Sequence, residues 1–92
     1  MTNRNYNDPT YKKWRLDVYK RDNHKCQWPN CTLKKKLHAH HIYKWSDFPA
    51  LRFVIDNGIS LCKIHHDMIK NQEEIYAPIL SKIIASKKYD KH

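Results

Sequence analysis

Three stretches of the chain hold residue types that can do chemistry. "LHAHHI" at 37–42 carries His38, His40 and His41. "NGISLCKIHH" at 57–66 carries Asn57, Cys62, His65 and His66. "CQWPNC" at 26–31 has a cysteine at each end. Thiolate and imidazole are the donors that zinc prefers. Imidazole, with an unperturbed pKa of about 6.5, is also the side chain best placed to move a proton at neutral pH. The histidines therefore have to be divided between metal binding and acid–base work.

Cys26-x4-Cys31 and Cys62-x2-His65 read as two halves of one tetrahedral site. A tight turn around Pro29-Asn30 presents the first pair. Cys62 and His65 are three residues apart and face the same way on the first turn of a helix. Together Cys26, Cys31, Cys62 and His65 make a closed Cys3His set, the pattern of a structural zinc. The competing reading is three ordinary buried thiols. Against it, all three cysteines of the chain enter the pattern with none left over. A C2H2 finger is excluded, because no second histidine pair follows the cysteines at the required spacing. What remains is His40, His41, Asn57 and His66. His66 sits about 100° around the helix from His65, so its side chain leaves the zinc and faces the hairpin that carries His40 and His41. Two histidines from separate elements can hold a second, open metal site.

The elements that must position these residues follow from local pattern. Asp8-Pro9-Thr10 reads as a helix start with Thr10 as N-cap. The helix runs from Tyr11 to Arg21, with Tyr11, Trp14 and Val18 on one stripe, widened by Leu16 and Tyr19, and Asp22-Asn23 ends it. Residues 37–43 suit a strand, and 59–61 a short strand pairing back on it, with a turn at Asn57-Gly58. "KWSDFPALRF" is an irregular connection. Cys62 to Asn71 suits a helix. Asn71 with Glu74 resembles a capping box for another helix, where Ile75, Ile79 and Ile83, widened by Leu80 and Ile84, form a core or partner stripe. Pro78 kinks that helix or lies in its first turn, and the tail from Lys87 is expected to fray.

Length and charge bound the possibilities. Ninety-two residues make one domain, with a core small enough to need a metal or another staple. Eighteen Lys and Arg against nine Asp and Glu give a net charge of +9. That excess points to a polyanion, nucleic acid above all. Lys34, Lys35 and Lys36 form a basic loop just before the first strand. No apolar run is long enough for a membrane span, and the first ten residues have no secretory h-region, so the chain is expected to be cytoplasmic. Reduced thiols there favour metal ligation over a disulfide framework.

"RDNHKCQWPNC", "AHHI", "DNGISLC" and "CKIHH", in that order, resemble the HNH nuclease family, a branch of the ββα-metal fold. The resemblance spans about residues 14–71. It implies an α+β class: a small ββα-metal domain with a structural zinc and flanking N- and C-terminal helices, the last over about 73–86, all in one domain over 1–92. By the resemblance, His40 and His66 bind the divalent ion, His41 is the general base, and Asn57 closes the loop between the strands and steadies the base. It also implies that Lys70 stands where many members carry a further ligand, and contacts phosphate instead. His38 is assigned to DNA contact or to the surface, with Lys34–Lys36. His24 and His92 are incidental, and Trp28 and Trp45 are packing residues.

The implied function is a metal-dependent DNA endonuclease, nicking or cutting duplex DNA. It leaves 5′-phosphate and 3′-hydroxyl ends, with Mg²⁺, Mn²⁺, Ni²⁺ or Zn²⁺ as catalytic cation beside the structural Zn²⁺. Small stand-alone relatives of this kind occur in phages, mobile elements and restriction systems. The alternatives are a non-catalytic, zinc-stabilised nucleic-acid-binding module and a subunit of a larger packaging or restriction machine. Monomer and homodimer are both compatible with the sequence.

Overall fold

The computed structural model describes residues 5–89. Helix α1 is Pro9–Arg21. Its cap is Asp8 rather than Thr10: the Asp8 carboxylate accepts the Thr10 N–H at 2.8 Å, and Pro9 takes the first helical position, where no N–H is needed. Tyr11, Trp14 and Val18 form the buried stripe. Leu16 does not widen it and is half exposed, whereas Tyr19 reaches over to donate from its hydroxyl to the Leu37 carbonyl at 3.1 Å. Asn23 and His24 both take positive φ, which breaks the helix and turns the chain toward Cys26.

Strands β1, Leu37–His41, and β2, Gly58–Cys62, pair antiparallel, with His40 opposite Ile59 and His41 opposite Gly58. β1 ends at His41 rather than Tyr43. β2 begins at Gly58, whose φ of −115° is extended, so Asn57-Gly58 is not the expected turn. The connection between the strands holds two short 3-10 helices, Pro49–Leu51 and Ile55–Asn57.

Helix α2, Lys63–Ile69, follows β2 directly, and α3 is Glu73–Tyr89. Residues 90–92, including His92 and half of the tail expected to fray, lie outside the described residues. Where it is described, the chain past Lys87 is still helical, and the Lys87 ammonium stands 3.7 Å from the Asp22 carboxylate. The Asn71/Glu74 capping box is not formed. Glu73 instead accepts the Asn71 N–H at 3.2 Å, and Asn71 has φ of 68°. Pro78 lies inside α3, beyond its first turn.

Each face of the small sheet is covered. On one side Ile42, Ile59, Leu61 and Cys62 pack with Ile69 of α2 and Ala77, Leu80 and Ile84 of α3. The expected Ile75/Ile79/Ile83 stripe is therefore displaced: Ile75 is 67% and Ile79 49% exposed, and only Ile83 packs against the core. The chain buries the stripe one residue further round, because Leu80 and Ile84 are four apart and Ala77 lets α3 approach closely. On the other side α1 lays Trp14 and Val18 on Gly58. A Cβ at Gly58 would stand 2.5 Å from Val18 Cγ2 and 2.7 Å from Trp14 Cζ2, so only glycine fits. The class is α+β, with three α-helices around a two-stranded sheet among the described residues. No helix among the described residues is long and apolar enough to cross a membrane.

Candidate metal centre and histidine cavity

The cysteine cluster is built from three local devices. Trp28-Pro29-Asn30-Cys31 is a turn closed by the Cys31 N–H on the Trp28 carbonyl at 2.9 Å. Pro29 sets the second position and Asn30, at φ 66°, supplies the third, as a type II turn requires. The Cys26 N–H bonds the Leu33 carbonyl at 2.8 Å, folding the two cysteines toward each other. Cys62, as N-cap of α2, brings His65 to the same side.

The four ligand atoms all lie within 4.8 Å of one another, with His65 Nδ1 at 3.3 Å from Cys62 Sγ and 3.6 Å from Cys26 Sγ. Three sulfurs and one nitrogen at this spacing are consistent with a structural metal site. Burial pushes the Cys26 thiol up to about 11. Burial also acts to raise Cys62, but the N–H groups of His65 and Ile64 and the neighbouring thiols outweigh it and lower its pKa. A helix start stabilising one thiolate in this way prepares it as a metal ligand. Trp28 stacks on His65 at 5.0 Å between ring centroids, with the planes 9° apart, and fixes the ring.

β1, the segment after it, α2 and the start of α3 meet at a second place, a cavity of about 370 Å³ lined by Ala39, His40, His41, Lys44, Trp45, Ser46, His66, Lys70 and Glu73. In a strand, His40 and His41 must leave opposite faces, and they do. His41 turns to the α1 side, where Trp14 stacks on it, and His40 turns to the α2 side, toward His66. Both still line one cavity, because β1 stops at His41 and is the open edge of a two-stranded sheet.

His41 is held from several directions. The Trp14 ring lies 4.0 Å away and 10° from parallel, and Trp45 meets it edge-on at 5.4 Å. Its Nε2 is 2.9 Å from the Arg52 carbonyl. A carbonyl only accepts, so Nε2 carries the hydrogen, and in the neutral ring Nδ1 is the basic nitrogen. Arg52 also donates from Nε to the Trp45 carbonyl at 2.8 Å and lays its guanidinium over the Trp45 ring.

Asn57 is buried and ties the interstrand loop together. Its Oδ1 accepts from Tyr43 N–H at 2.9 Å, and its Nδ2 donates to the carbonyls of Tyr43 at 3.1 Å and Leu51 at 3.2 Å. That bracket fixes the segment from Tyr43 to Leu51, which leads to the Arg52 carbonyl.

His66 stands edge-on to His40, centroids 5.6 Å apart and planes 74° apart. Two imidazoles sharing one ion, with metal–nitrogen bonds of about 2.1 Å, have centroids roughly 5 Å apart. The pair is therefore close to a co-ligand arrangement. His38 stacks on His66 at 4.6 Å, planes 10° apart. The in-plane lone pairs of stacked rings do not converge, so His38 covers a face of His66 in this geometry. Burial pushes the His66 imidazole below the ordinary histidine value, and His38 beside it adds to the effect. The neutral, ligand-competent ring is thereby favoured at pH 7. Among the described residues, no second group of three or more His, Cys, Asp or Glu side chains draws its ligand atoms as close as the cysteine cluster.

Lys70 lines the cavity, while Lys34, Lys35 and Lys36 are exposed on the loop before β1 and do not line it. Sequence reasoning missed four contributors: Trp14 and Arg52, which hold His41, and Lys44 and Glu73, which line the cavity. Trp14 was legible only as a core residue. The other three sit on segments whose pattern gives no direction to a side chain. Family models, curated proteins and solved structures were compared with the chain, and none matches it.

Proposed function

We propose that the chain is a metal-dependent DNA endonuclease of the HNH type, stabilised by a zinc ion on Cys26, Cys31, Cys62 and His65. The observation that carries the reading is the convergence of His41, His40 and His66 on one cavity edged by Lys44 and Lys70. The β1–β2–α2 order also agrees with what the sequence resemblance implies.

In this reading His41 Nδ1 takes a proton from the attacking water, while the Arg52 carbonyl holds Nε2–H and keeps the ring in that tautomer. Trp14 and Trp45 exclude water from the ring faces and stop it rotating. Lys44 and Lys70 attract the phosphodiester and orient it for in-line attack. His40 and His66 are the side chains that would hold a divalent ion. Such an ion supplies Lewis-acid stabilisation of the phosphoryl and leaving oxygens. Asn57 is a positioning residue, because it holds the loop that carries the Arg52 carbonyl. The ends expected are 5′-phosphate and 3′-hydroxyl.

Relaxation of supercoiled plasmid, in Mg²⁺, Mn²⁺ or Ni²⁺ with zinc-replete protein, tests the reading. Wild type should nick or linearise the plasmid, and His41→Ala should lose roughly 10²–10⁴-fold in rate, as removal of a general base does. Equal activity in the two proteins would overturn the assignment. Binding without cleavage in wild type would leave a zinc-stabilised nucleic-acid-binding module.

A further inference from the structure

We infer that Glu73 is the third protein ligand of the divalent ion at His40 and His66, an inference that rests on the endonuclease reading. Helix α2 offers no third donor at the cavity: its one carboxylate, Asp67, is half exposed, pairs with Lys63 at 2.6 Å and does not line the cavity. The position one turn beyond His66 is Lys70, a cation whose ammonium cannot ligate a metal. The chain then leaves α2, turns at Asn71 with φ of 68°, and begins α3 at Glu73, back at the same cavity. Glu73 is the sole acid among the residues lining that cavity.

The two carboxylate oxygens of Glu73 have different surroundings. Oε2 accepts the Asn71 N–H at 3.2 Å. Oε1 is out of contact with water and has no hydrogen-bond donor. A carboxylate oxygen so placed is costly, and burial of this kind calls for a cation or a donor to offset it. Beside two imidazoles, a divalent ion does so directly. The three groups are further apart than the ligand atoms of the cysteine cluster, so sharing one ion requires the Glu73 side chain to move toward the two imidazoles. A carboxylate added to two imidazoles also shifts preference toward harder ions such as Mn²⁺ and Mg²⁺. It lowers the net charge that an ion brings into a cavity already holding Lys44 and Lys70.

The test is a Mn²⁺ titration of zinc-replete protein, followed by the loss of the free-ion electron paramagnetic resonance signal, with zinc content and thermal midpoint measured alongside. Wild type should bind one Mn²⁺ per chain. Glu73→Gln should bind it at least about tenfold more weakly, with zinc content unchanged, and His40→Ala should weaken it as well. If Glu73→Gln loses zinc, Glu73→Asp replaces it; the shorter arm keeps the charge at the start of α3 and should also bind Mn²⁺ more weakly. Wild-type affinity in the glutamate variant, together with weakened binding in His40→Ala, overturns the Glu73 assignment and leaves the nuclease reading standing. Wild-type protein that binds no Mn²⁺ overturns the Glu73 assignment, and the plasmid assay then decides the nuclease reading separately.

Discussion

The indole of Trp14 lies flat against the imidazole of His41, centroids 4.0 Å apart and planes 10° from parallel. One residue belongs to α1 and the other closes β1, so the first helix reaches across the sheet to hold the histidine. The indole N–H is anchored in turn on the Val54 carbonyl at 2.9 Å. Trp14→Ala is expected to cost about 3–5 kcal/mol in urea unfolding and to slow plasmid nicking more than it weakens DNA binding. Trp14→Phe keeps an aromatic face but loses the indole bond to the Val54 carbonyl, which still accepts the Asn57 N–H at 3.0 Å, for a loss of about 0.5–1.5 kcal/mol. Folded Trp14→Ala protein that nicks at the wild-type rate would show that the ring clamp is irrelevant to the chemistry.

Gly58 is what lets that helix come so close. A methyl group there would overlap Val18 Cγ2 at 2.5 Å and Trp14 Cζ2 at 2.7 Å, both fully packed. Gly58→Ala should therefore destabilise the fold by about 1–3 kcal/mol through overpacking and tilt the indole away from His41. Val18→Ala in the same chain removes one of the two overlaps. The double variant should cost less than the sum of the single ones, measured by denaturant unfolding. Strict additivity would show that the added methyl group does not meet Val18.

Some of this arrangement could be read from the sequence, and the limits are physical. The cysteine cluster was legible because ligand type and spacing are local: a Pro-Asn turn and one helical turn set both pairs without any tertiary information. The pairing of the two strands followed from residue type as well, though with expected bounds of 37–43 and 59–61 where the structure has Leu37–His41 and Gly58–Cys62. His40 and His41 were readable as neighbours on opposite faces, but nothing local says that the strand ends between two helices, which is what brings them to one cavity. Ile75 and Ile79 misled because an i, i+4 apolar row fits either of two adjacent stripes, and the packing partner decides which is buried. Gly58 was read as a turn residue from its neighbour Asn57. Its real constraint comes from Trp14 and Val18, some 40 residues earlier, which no local pattern encodes.

Metal removal should unfold the domain. A structural zinc on thiolates and imidazole contributes about 10–16 kcal/mol at neutral pH in small zinc-binding peptides, comparable to the entire stability of a typical domain at about 5–15 kcal/mol. Cys62 and Cys26 sit within the main core, so loss of the ion leaves their thiols without partners in the middle of it. The purified protein should carry one zinc per chain by elemental analysis, and a strong chelator should abolish the cooperative melting transition seen by circular dichroism. Unchanged melting after complete zinc removal contradicts the structural role.

Asp22 joins α1 to β2 from inside. Its carboxylate is fully buried, accepts the Ser60 N–H at 2.8 Å, and pairs with Arg21 through two bonds of 2.9 Å. Arg21 extends the network to the carbonyls of Ile55 at 2.8 Å and Gly58 at 2.6 Å. Asp22→Ala would strand the guanidinium and the Ser60 N–H together, at a cost of about 3–5 kcal/mol. Asp22→Asn keeps one acceptor and should cost less. Because the network ends on the carbonyls at each end of the Ile55–Gly58 segment, hydrogen exchange at Asn57 should quicken in both variants. Protection at Asn57 equal to wild type would detach this network from the loop that Asn57 holds.

On the endonuclease reading, the salt dependence of DNA binding should separate the two lysine groups. Each phosphate neutralised by a lysine adds about 0.9 to the slope of log affinity against log salt. Lys34, Lys35 and Lys36 are all exposed on one loop and do not line the cavity. Replacing all three with alanine should flatten the slope by up to about 2.7 with little change in the rate of cleavage once DNA is bound. Lys70 lines the cavity with His66, so Lys70→Ala should change the slope by no more than about 1 while slowing the bound-state rate. Fluorescence anisotropy of a labelled duplex between about 50 and 200 mM salt, paired with single-turnover cleavage, measures both quantities. A triple variant with the wild-type slope would remove the 34–36 loop from the DNA-contacting surface, and a Lys70→Ala protein with unchanged single-turnover rate would remove Lys70 from the phosphate site.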